Sequence, residues 1–333
     1  MARCALVTLA DTNYIEQAKQ LFGAVCVNAG WRDDLVLLTH KIPEQELEWF
    51  IKRGIIVQRC QSLITNQPID SWSDTVLSKL HLFTNFFKQW EHIIYVDADM
   101  LIRASLEDLK KVDGFHAVTW GKPLRGMISD TIGAAQRPLF DSLVGQYDLT
   151  KPRFFAGVMA FPSDIITSDL FNQLVLAAKK YAAINKVADE LPLNLYFHNR
   201  WQPLPRAFFT SFYQLVYHYR IAPRKVDGII IHPYHQCLPW KRGNFFYHKW
   251  RANRRAAEKI KVHSARAPQR VWSPKMISSF EHWLQTSRQQ YQEPATLLTF
   301  WQIVQRPRVV IGLIGRQLKR YLPPVYHFLK RFV

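Results

Sequence analysis

Short apolar runs alternating with amphipathic helical stretches over the first 240 residues predict an α/β fold built on a mostly parallel sheet. Two further observations support that class. A carboxylate pair, Asp97 and Asp99, closes one of the apolar runs, at the carboxyl edge where open α/β sheets bind ligands. The length of 333 residues, 48% of them hydrophobic, suffices for one elaborated α/β domain with an appendage.

In chain order, Ala5–Ala10 reads as a first strand and about Tyr14 to Asn28 as a helix. Leu35–His40 is a second strand, and Pro43 opens a helix ending near Gly54, a C-cap candidate. Ile55–Cys60 is a third strand, and Gln61–Ser73 is polar enough for a loop. Asp74 is placed to cap a long helix with Val76, Leu80, Phe83 and Phe87 on one face. His92–Val96 and Ala117–Trp120 follow as strands, and Gly121–Arg153 reads as an irregular excursion rich in Gly, Pro and isolated charges. Phe154–Phe161 is a strand, Asp164–Ala183 a helix, and Ile229–His232 closes the sheet pattern. There is no internal repeat and no low-complexity segment.

The net charge of +18 is unevenly placed: residues 241–333 hold 19 Lys/Arg against 3 acids, and residues 1–240 hold 25 against 23. The chain therefore divides, on composition, into a nearly neutral globular part, 1–245, and a basic helical extension, 246–333. After Glu293 seven Lys/Arg are interleaved with bulky apolar and aromatic residues and no acid occurs, which suits two short interfacial segments on anionic lipid, broken at Gly312, Gly315 and Pro323-Pro324. Nucleic acid is the weaker partner for this tail, which carries no recognition motif. Met1–Ala10 is too short for a signal peptide, and Val309–Gly315 ends at Arg316, far short of a membrane span. Cys4, Cys26, Cys60 and Cys237 are scattered without a C-x-x-C, which reads as reduced thiols in a cytoplasmic protein, peripheral on the inner face of the plasma membrane.

Four segments carry chemistry. In Ile93-Ile94-Tyr95-Val96-Asp97-Ala98-Asp99 the two carboxylates, two residues apart in extended chain, face one spot, and their hard oxygens suit Mg²⁺ or Mn²⁺ bridging to a diphosphate. Ala98 between them is small enough for a ribose to lie against the backbone. At the end of the first strand, Ala10-Asp11-Thr12-Asn13-Tyr14 either holds a nucleobase or is an ordinary helix start. His232, just after an apolar run, either completes the metal site or is structural; His235 nearby has no Cys or H-E-x-x-H partner for zinc. Asp189 and Glu190, ahead of Pro192, either serve catalysis or stabilise a helix N-terminus.

In this order and spacing the segments resemble glycosyltransferase family 8, the family of glycogenin and the bacterial lipooligosaccharide galactosyltransferases, over roughly residues 3–245. The matching blocks are Ala10–Tyr14, Ser78-Lys79-Leu80, Tyr95–Asp99, Phe154–Val158, Asp189-Glu190 with Asn194, and His232 with Pro239-Trp240. The resemblance implies a GT-A fold, a UDP-sugar donor, Mn²⁺ and a retaining reaction on a saccharide, glycolipid or protein acceptor. It implies that Asp97, Asp99 and His232 ligate the metal, and that Ala10, Asp11, Asn13, Tyr14 and Ala98 hold the nucleoside. It also implies that Lys79 reaches the nucleotide, and that Ala156, Asp189 and Glu190 contact the donor sugar, the last two as the catalytic candidates.

The chain departs from the family pattern at Phe155 (usually Asn), Glu190 (usually Gln), His235 (usually Gly) and Leu238 (usually a phosphate-binding Lys). Lys241 or Arg242, three or four residues on, is the expected substitute for that last charge. The alternative expectation is a non-catalytic or weakened nucleotide-sugar or glycan-binding protein.

Overall fold

A computed structural model describes residues 3–63, 74–233, 238–264 and 267–290. The expected tail segment after Glu293 and residue His235 lie outside the described residues. Strand β1 (Cys4–Ala10), helix α1 (Ile15–Asn28), β2 (Asp34–Thr39), α2 (Glu44–Ile51) and β3 (Ile56–Arg59) form the alternating opening unit. All residues of β1 and β2 are buried, as strands covered on both faces must be.

The expected long helix is broken. It begins as α3 (Asp74–Leu77), continues as 3₁₀ turns over Ser78–Phe83 and Asn85–Gln89, and is interrupted at Thr84, whose backbone is extended. The break lies at Thr84, whose hydroxyl donates to the His81 carbonyl at 2.8 Å and so takes up a carbonyl that a continuing helix would use. Ser78 through Phe83 are all buried.

Then follow β4 (His92–Val96), a two-residue β5 (Leu101–Ile102), β6 (Phe115–Pro123), α4 (Arg137–Val144) and β7 (Pro152–Pro162). The excursion between β6 and β7 is not wholly irregular: Leu124, Met127, Ile128 and Leu143 form a satellite core with Tyr181, Ile184, Leu191 and Leu195. The remaining elements are α5 (Leu170–Tyr181), α6 (Glu190–Tyr196), β8 (Trp201–Pro203), β9 (Thr210–Ser211), β10 (Ile230–His232), α7 (Tyr247–Ala257) and α8 (Pro274–Gln290).

The main sheet has order β3-β2-β1-β4-β7-β6-β8. Strands β3, β2, β1 and β4 are mutually parallel, whereas β7 is antiparallel to both β4 and β6. Under β4 and β7 lies an aromatic core in which Phe115 stacks on Phe197 at 3.9 Å and Phe83 on Phe161 at 5.1 Å. A second sheet of order β5-β10-β9 sits beyond the end of β4.

The compact unit containing the sheet runs to Trp283, past the compositional division after residue 245. Helix α7 belongs to it: a Cβ on Gly23 would come within 2.4 Å of the Asn253 carbonyl, so only glycine lets α1 and α7 approach this closely. Asn28 ties the pair by donating to Asn253 Oδ1 at 3.2 Å and to the Ile102 carbonyl at 2.8 Å. Basic composition therefore does not mark the edge of the packed unit. Among the described residues no helix is long and apolar enough to cross a membrane, and Cys4, Cys26 and Cys60 are free thiols, pushed up to about 12 chiefly by burial.

Candidate active site

The carboxyl ends of β1 and β4, the start of β7 and the start of α6 enclose a cavity of about 450 Å³. Its lining includes Ala10, Asp11, Tyr14, Lys79, Asp97, Ala98, Asp99, Asp189, Glu190 and His232 among the residues expected from sequence.

Two strand pairings assemble the Asp97 end. The register Val96↔Val158 carries on into a hydrogen bond from the Asp97 N–H to the Gly157 carbonyl at 2.9 Å. The chain then turns tightly, with the Met100 N–H donating to the Asp97 carbonyl at 3.2 Å, and enters β5. Strand β10 pairs with β5 in the register Ile231↔Leu101, which carries His232 to Asp99 across more than 130 residues of chain. His232 Nε2 lies 3.7 Å from Asp99 Oδ2. The imidazole is walled by aromatic rings, Phe155 at 5.5 Å and Phe209 at 5.3 Å between centroids.

Asp97 is differently placed. Its Oδ1 accepts from the Tyr95 hydroxyl at 2.7 Å and lies 3.2 Å from Lys79 Nζ. Lys79 Nζ also lies 2.8 Å from Asp189 Oδ2 and donates to the Ala156 carbonyl at 3.2 Å. Lys79 is 5% exposed and Asp189 3%, so this is a buried Asp–Lys–Asp triad. Burial works against the ammonium, but the carboxylates of Asp189 and Asp97 hold its pKa above the ordinary lysine value. Burial raises Asp189, with Lys79 opposing, and raises the Tyr95 hydroxyl well above its usual range.

The residues present fit a hard divalent ion in kind: two carboxylates and one imidazole at adjoining strand ends. Gly157 lets the Phe155 ring and Asp97 Oδ2 approach the strand closely, since a Cβ there would come within 2.1 Å of the ring and 2.6 Å of the oxygen. As the side chains stand, however, no three acidic, His or Cys groups among the described residues are arranged around one ion, because Asp97 is engaged by Lys79 and Tyr95.

Asn194 positions the opposite wall. Its side chain accepts from the Phe154 N–H at 2.9 Å and donates to the Phe154 carbonyl at 3.1 Å, clamping α6 to β7. Ala188, just before the two acids, is held at φ 43°, a left-handed conformation costly for a residue with a Cβ. Asn185 braces that turn by donating to the Ala188 carbonyl at 2.7 Å. Asp189 and Glu190 thus enter the cavity from a strained, braced turn. Burial pushes the Glu190 carboxyl up to about 8, with Asp189 adding to the effect and Arg153 opposing it.

Asp11 lines the cavity while capping the turn after β1: Oδ1 accepts from the Asn13 N–H at 2.9 Å and Oδ2 from the Thr75 hydroxyl at 3.0 Å. Tyr14, 41% exposed, stands at the rim, and its hydroxyl pKa is raised by burial, then by Asp99, Asp97 and Asp11. Asn13 and Lys241 are exposed and outside the lining, and Ala156 contributes its carbonyl from beneath. Sequence reasoning missed Thr75, Val76, Lys122, Arg153 and Val187 in the lining. For Arg153 a signal existed: Arg153, Phe155 and Gly157 share one strand face, but the strand was expected to start only at Phe154.

The family model described as glycosyl transferase family 8 matches residues 6–243. Among solved structures, the galactosyltransferase LgtC in complex with donor and acceptor sugar analogs is 16% identical, with 78% of this chain and 96% of that one covered at a TM-score of 0.54. The bifunctional glycosyltransferase WbbM is 16% identical at a TM-score of 0.56, covering 76% of this chain and 50% of that one. The glycosyltransferase GlyE of Streptococcus pneumoniae TIGR4 is 16% identical at a TM-score of 0.52, covering 86% of this chain and 64% of that one. At such identities the likeness is one of fold. No curated protein matches the chain at comparable stringency.

Proposed function

The chain belongs to glycosyltransferase family 8 and is a glycosyltransferase of GT-A-like α/β fold, and from that premise we propose that it moves a hexose, with retention, from a UDP-sugar to a saccharide, glycolipid or protein acceptor. The observation that carries the proposal is the meeting in one cavity of Asp97, Asp99 and His232 with Asp189 and Glu190. Asp97, Asp99 and His232 would hold Mn²⁺ or Mg²⁺. Bound there, the ion neutralises diphosphate charge and makes UDP a better leaving group.

The chain's own residues do the rest. Ala10, Asp11, Tyr14 and Ala98 line the place for the nucleoside, where Ala98 leaves the backbone approachable. Lys79 holds Asp97 and Asp189 in fixed positions and supplies positive charge behind them. Asp189, and Glu190 once its raised pKa is passed, present carboxylates toward the donor sugar, where positive charge builds on the anomeric carbon as the leaving group departs. Asn194 is a positioning residue for both. The basic extension is proposed to dock on anionic membrane, and the protein to work at the inner face of the plasma membrane. Residues 1–245 would be the catalytic part in that division, with α7 packed against it.

A second reading, non-catalytic binding of a nucleotide sugar, draws on Phe155, whose ring stands at the imidazole where the family usually has an amide. One experiment separates the two. UDP-hexoses are incubated with full-length protein and Mn²⁺, and the released sugar is followed by NMR. Slow, EDTA-sensitive hydrolysis is expected, the hexose appearing first as the anomer it was in the donor. Release of the opposite anomer would contradict retention, and UDP binding without any turnover would favour the second reading.

A further inference from the structure

Resting on the glycosyltransferase reading of this cavity, we propose that its far end recognises a carboxylate or phosphate on a substrate saccharide through Arg153 and Lys122. Strand β7 sets the order of groups along the cavity. Gly157 faces Asp97, Phe155 faces His232, and Arg153 comes one further pleat period, roughly 7 Å, from Phe155. Along the strand the Arg153 backbone is thus about 13 Å from that of Gly157, which places Arg153 at the end of the cavity away from Asp97.

Two features of this end call for an anion. First, Arg153 Nε and Nη1 are buried and donate to no acceptor, although the residue lines the cavity. A desolvated guanidinium with unmade hydrogen bonds is costly, and a charged acceptor is its natural complement. Second, Lys122 lines the same cavity, from the stretch of β6 where its register with β7 shifts. Two cations facing one cavity are mutually unfavourable. Among the described residues neither forms an ion pair, although the Arg153 charge acts on the Glu190 carboxyl. Lys122 also borders a second cavity of about 600 Å³, lined by Arg125, Leu149 and Thr150 among others and by no carboxylate. The cationic end therefore opens toward space for a longer ligand.

The anionic group could be carried by the donor sugar or by the acceptor, and both arms of the test use calorimetry on the full-length protein with Mn²⁺. In the first arm UDP-glucuronate and UDP-galacturonate are compared with UDP-glucose, UDP-galactose and UDP. In the second, glucuronate and glucose 6-phosphate are compared with glucose on protein saturated with UDP. In one arm the anionic ligand should bind about tenfold tighter than its neutral counterpart, the worth of one charge-assisted hydrogen bond. That ratio should collapse toward one in Arg153→Met and in the exposed-site variant Lys122→Met, and persist in part in Arg153→Lys. No preference for the anion in either arm, or a preference that survives both methionine variants, would overturn the proposal. So would a loss of affinity for UDP itself that matches the loss for the anionic sugar, since Arg153 would then act on the diphosphate. Failure of UDP to bind the unmodified protein would instead count against the glycosyltransferase site as a whole.

Discussion

At the Asp97 end of the cavity the charged side chains are held by one another: Asp97 by Lys79, Lys79 by Asp189, Asp99 beside His232. At the other end Lys122 and Arg153 line the same cavity, and Arg153 has buried N–H groups with no acceptor. At the first end each charged group has a partner in place, although its three carboxylates outnumber its one lysine. At the second the Arg153 charge acts on the Glu190 carboxyl, but its buried N–H groups are left without an acceptor. Preorganised charge of the first kind suits the part of a substrate shared by many enzymes, and unspent charge of the second kind suits the part that distinguishes one substrate from another.

The contrast is broken most severely at Lys79. Replacing it with Met leaves two carboxylates, Asp97 and Asp189, facing each other in a buried site. Losing one partner of a buried charge cluster costs about 3–5 kcal/mol. Lys79→Met should therefore lower the unfolding free energy by about that amount in a urea titration, and the loss should shrink at acid pH, where the orphaned carboxylates can protonate. A change below about 1 kcal/mol would mean that the triad is not a structural unit.

Glu190 lies between the two ends and sharpens the comparison through pH. Its carboxyl is pushed from 4.5 up to about 8, first by burial and then by Asp189. The folded protein thus keeps a proton that the unfolded chain releases as pH rises above 4.5. Its contribution is fully present below that pH and is lost as pH rises through about 8. Glu190→Gln removes this dependence, so its melting temperature relative to the parent should climb across that window and level off above it. Turnover should fall by about tenfold or more in the same variant if the carboxylate stabilises charge at the anomeric carbon. A pH-independent difference in melting temperature would show that the group titrates normally, and unchanged turnover would remove its direct role.

How far this site could be read from sequence follows the same division. The Asp97 end was legible because its residues sit where buried apolar strands run out: Asp97 and Asp99 after β4, His232 in β10. What brings them together was not legible. Strand β5 is two residues long, below any periodicity, yet its pairing with β10 delivers the imidazole to Asp99. The segment after Asp74 misled in the opposite direction. Its apolar residues repeat with helical spacing, but the polar positions between them, Ser78, Lys79 and His81, are buried too, engaged by His40, Asp189 and the Ser78 carbonyl. Amphipathic spacing says nothing about polar residues that find their partners inside. Arg153 and Lys122 were missed because both fall at the ends of strands flanking an excursion, where β6 and β7 pair out of register and the alternation is interrupted. Asn13 and Lys241, expected at the nucleotide, lie outside the lining, the first because Asp11 turns the chain outward immediately after β1.

The central claim is that nucleotide binding at this cavity depends on a divalent ion held by Asp97, Asp99 and His232. Calorimetry of UDP with the full-length protein tests it, in Mn²⁺, after EDTA, and with Asp99→Asn, which keeps the side chain's size and removes its charge. UDP should bind in Mn²⁺ and lose about a hundredfold or more in affinity both on chelation and in the variant, the loss expected if a divalent ion held there would offset diphosphate charge. Equal UDP affinity in all three conditions would contradict the account.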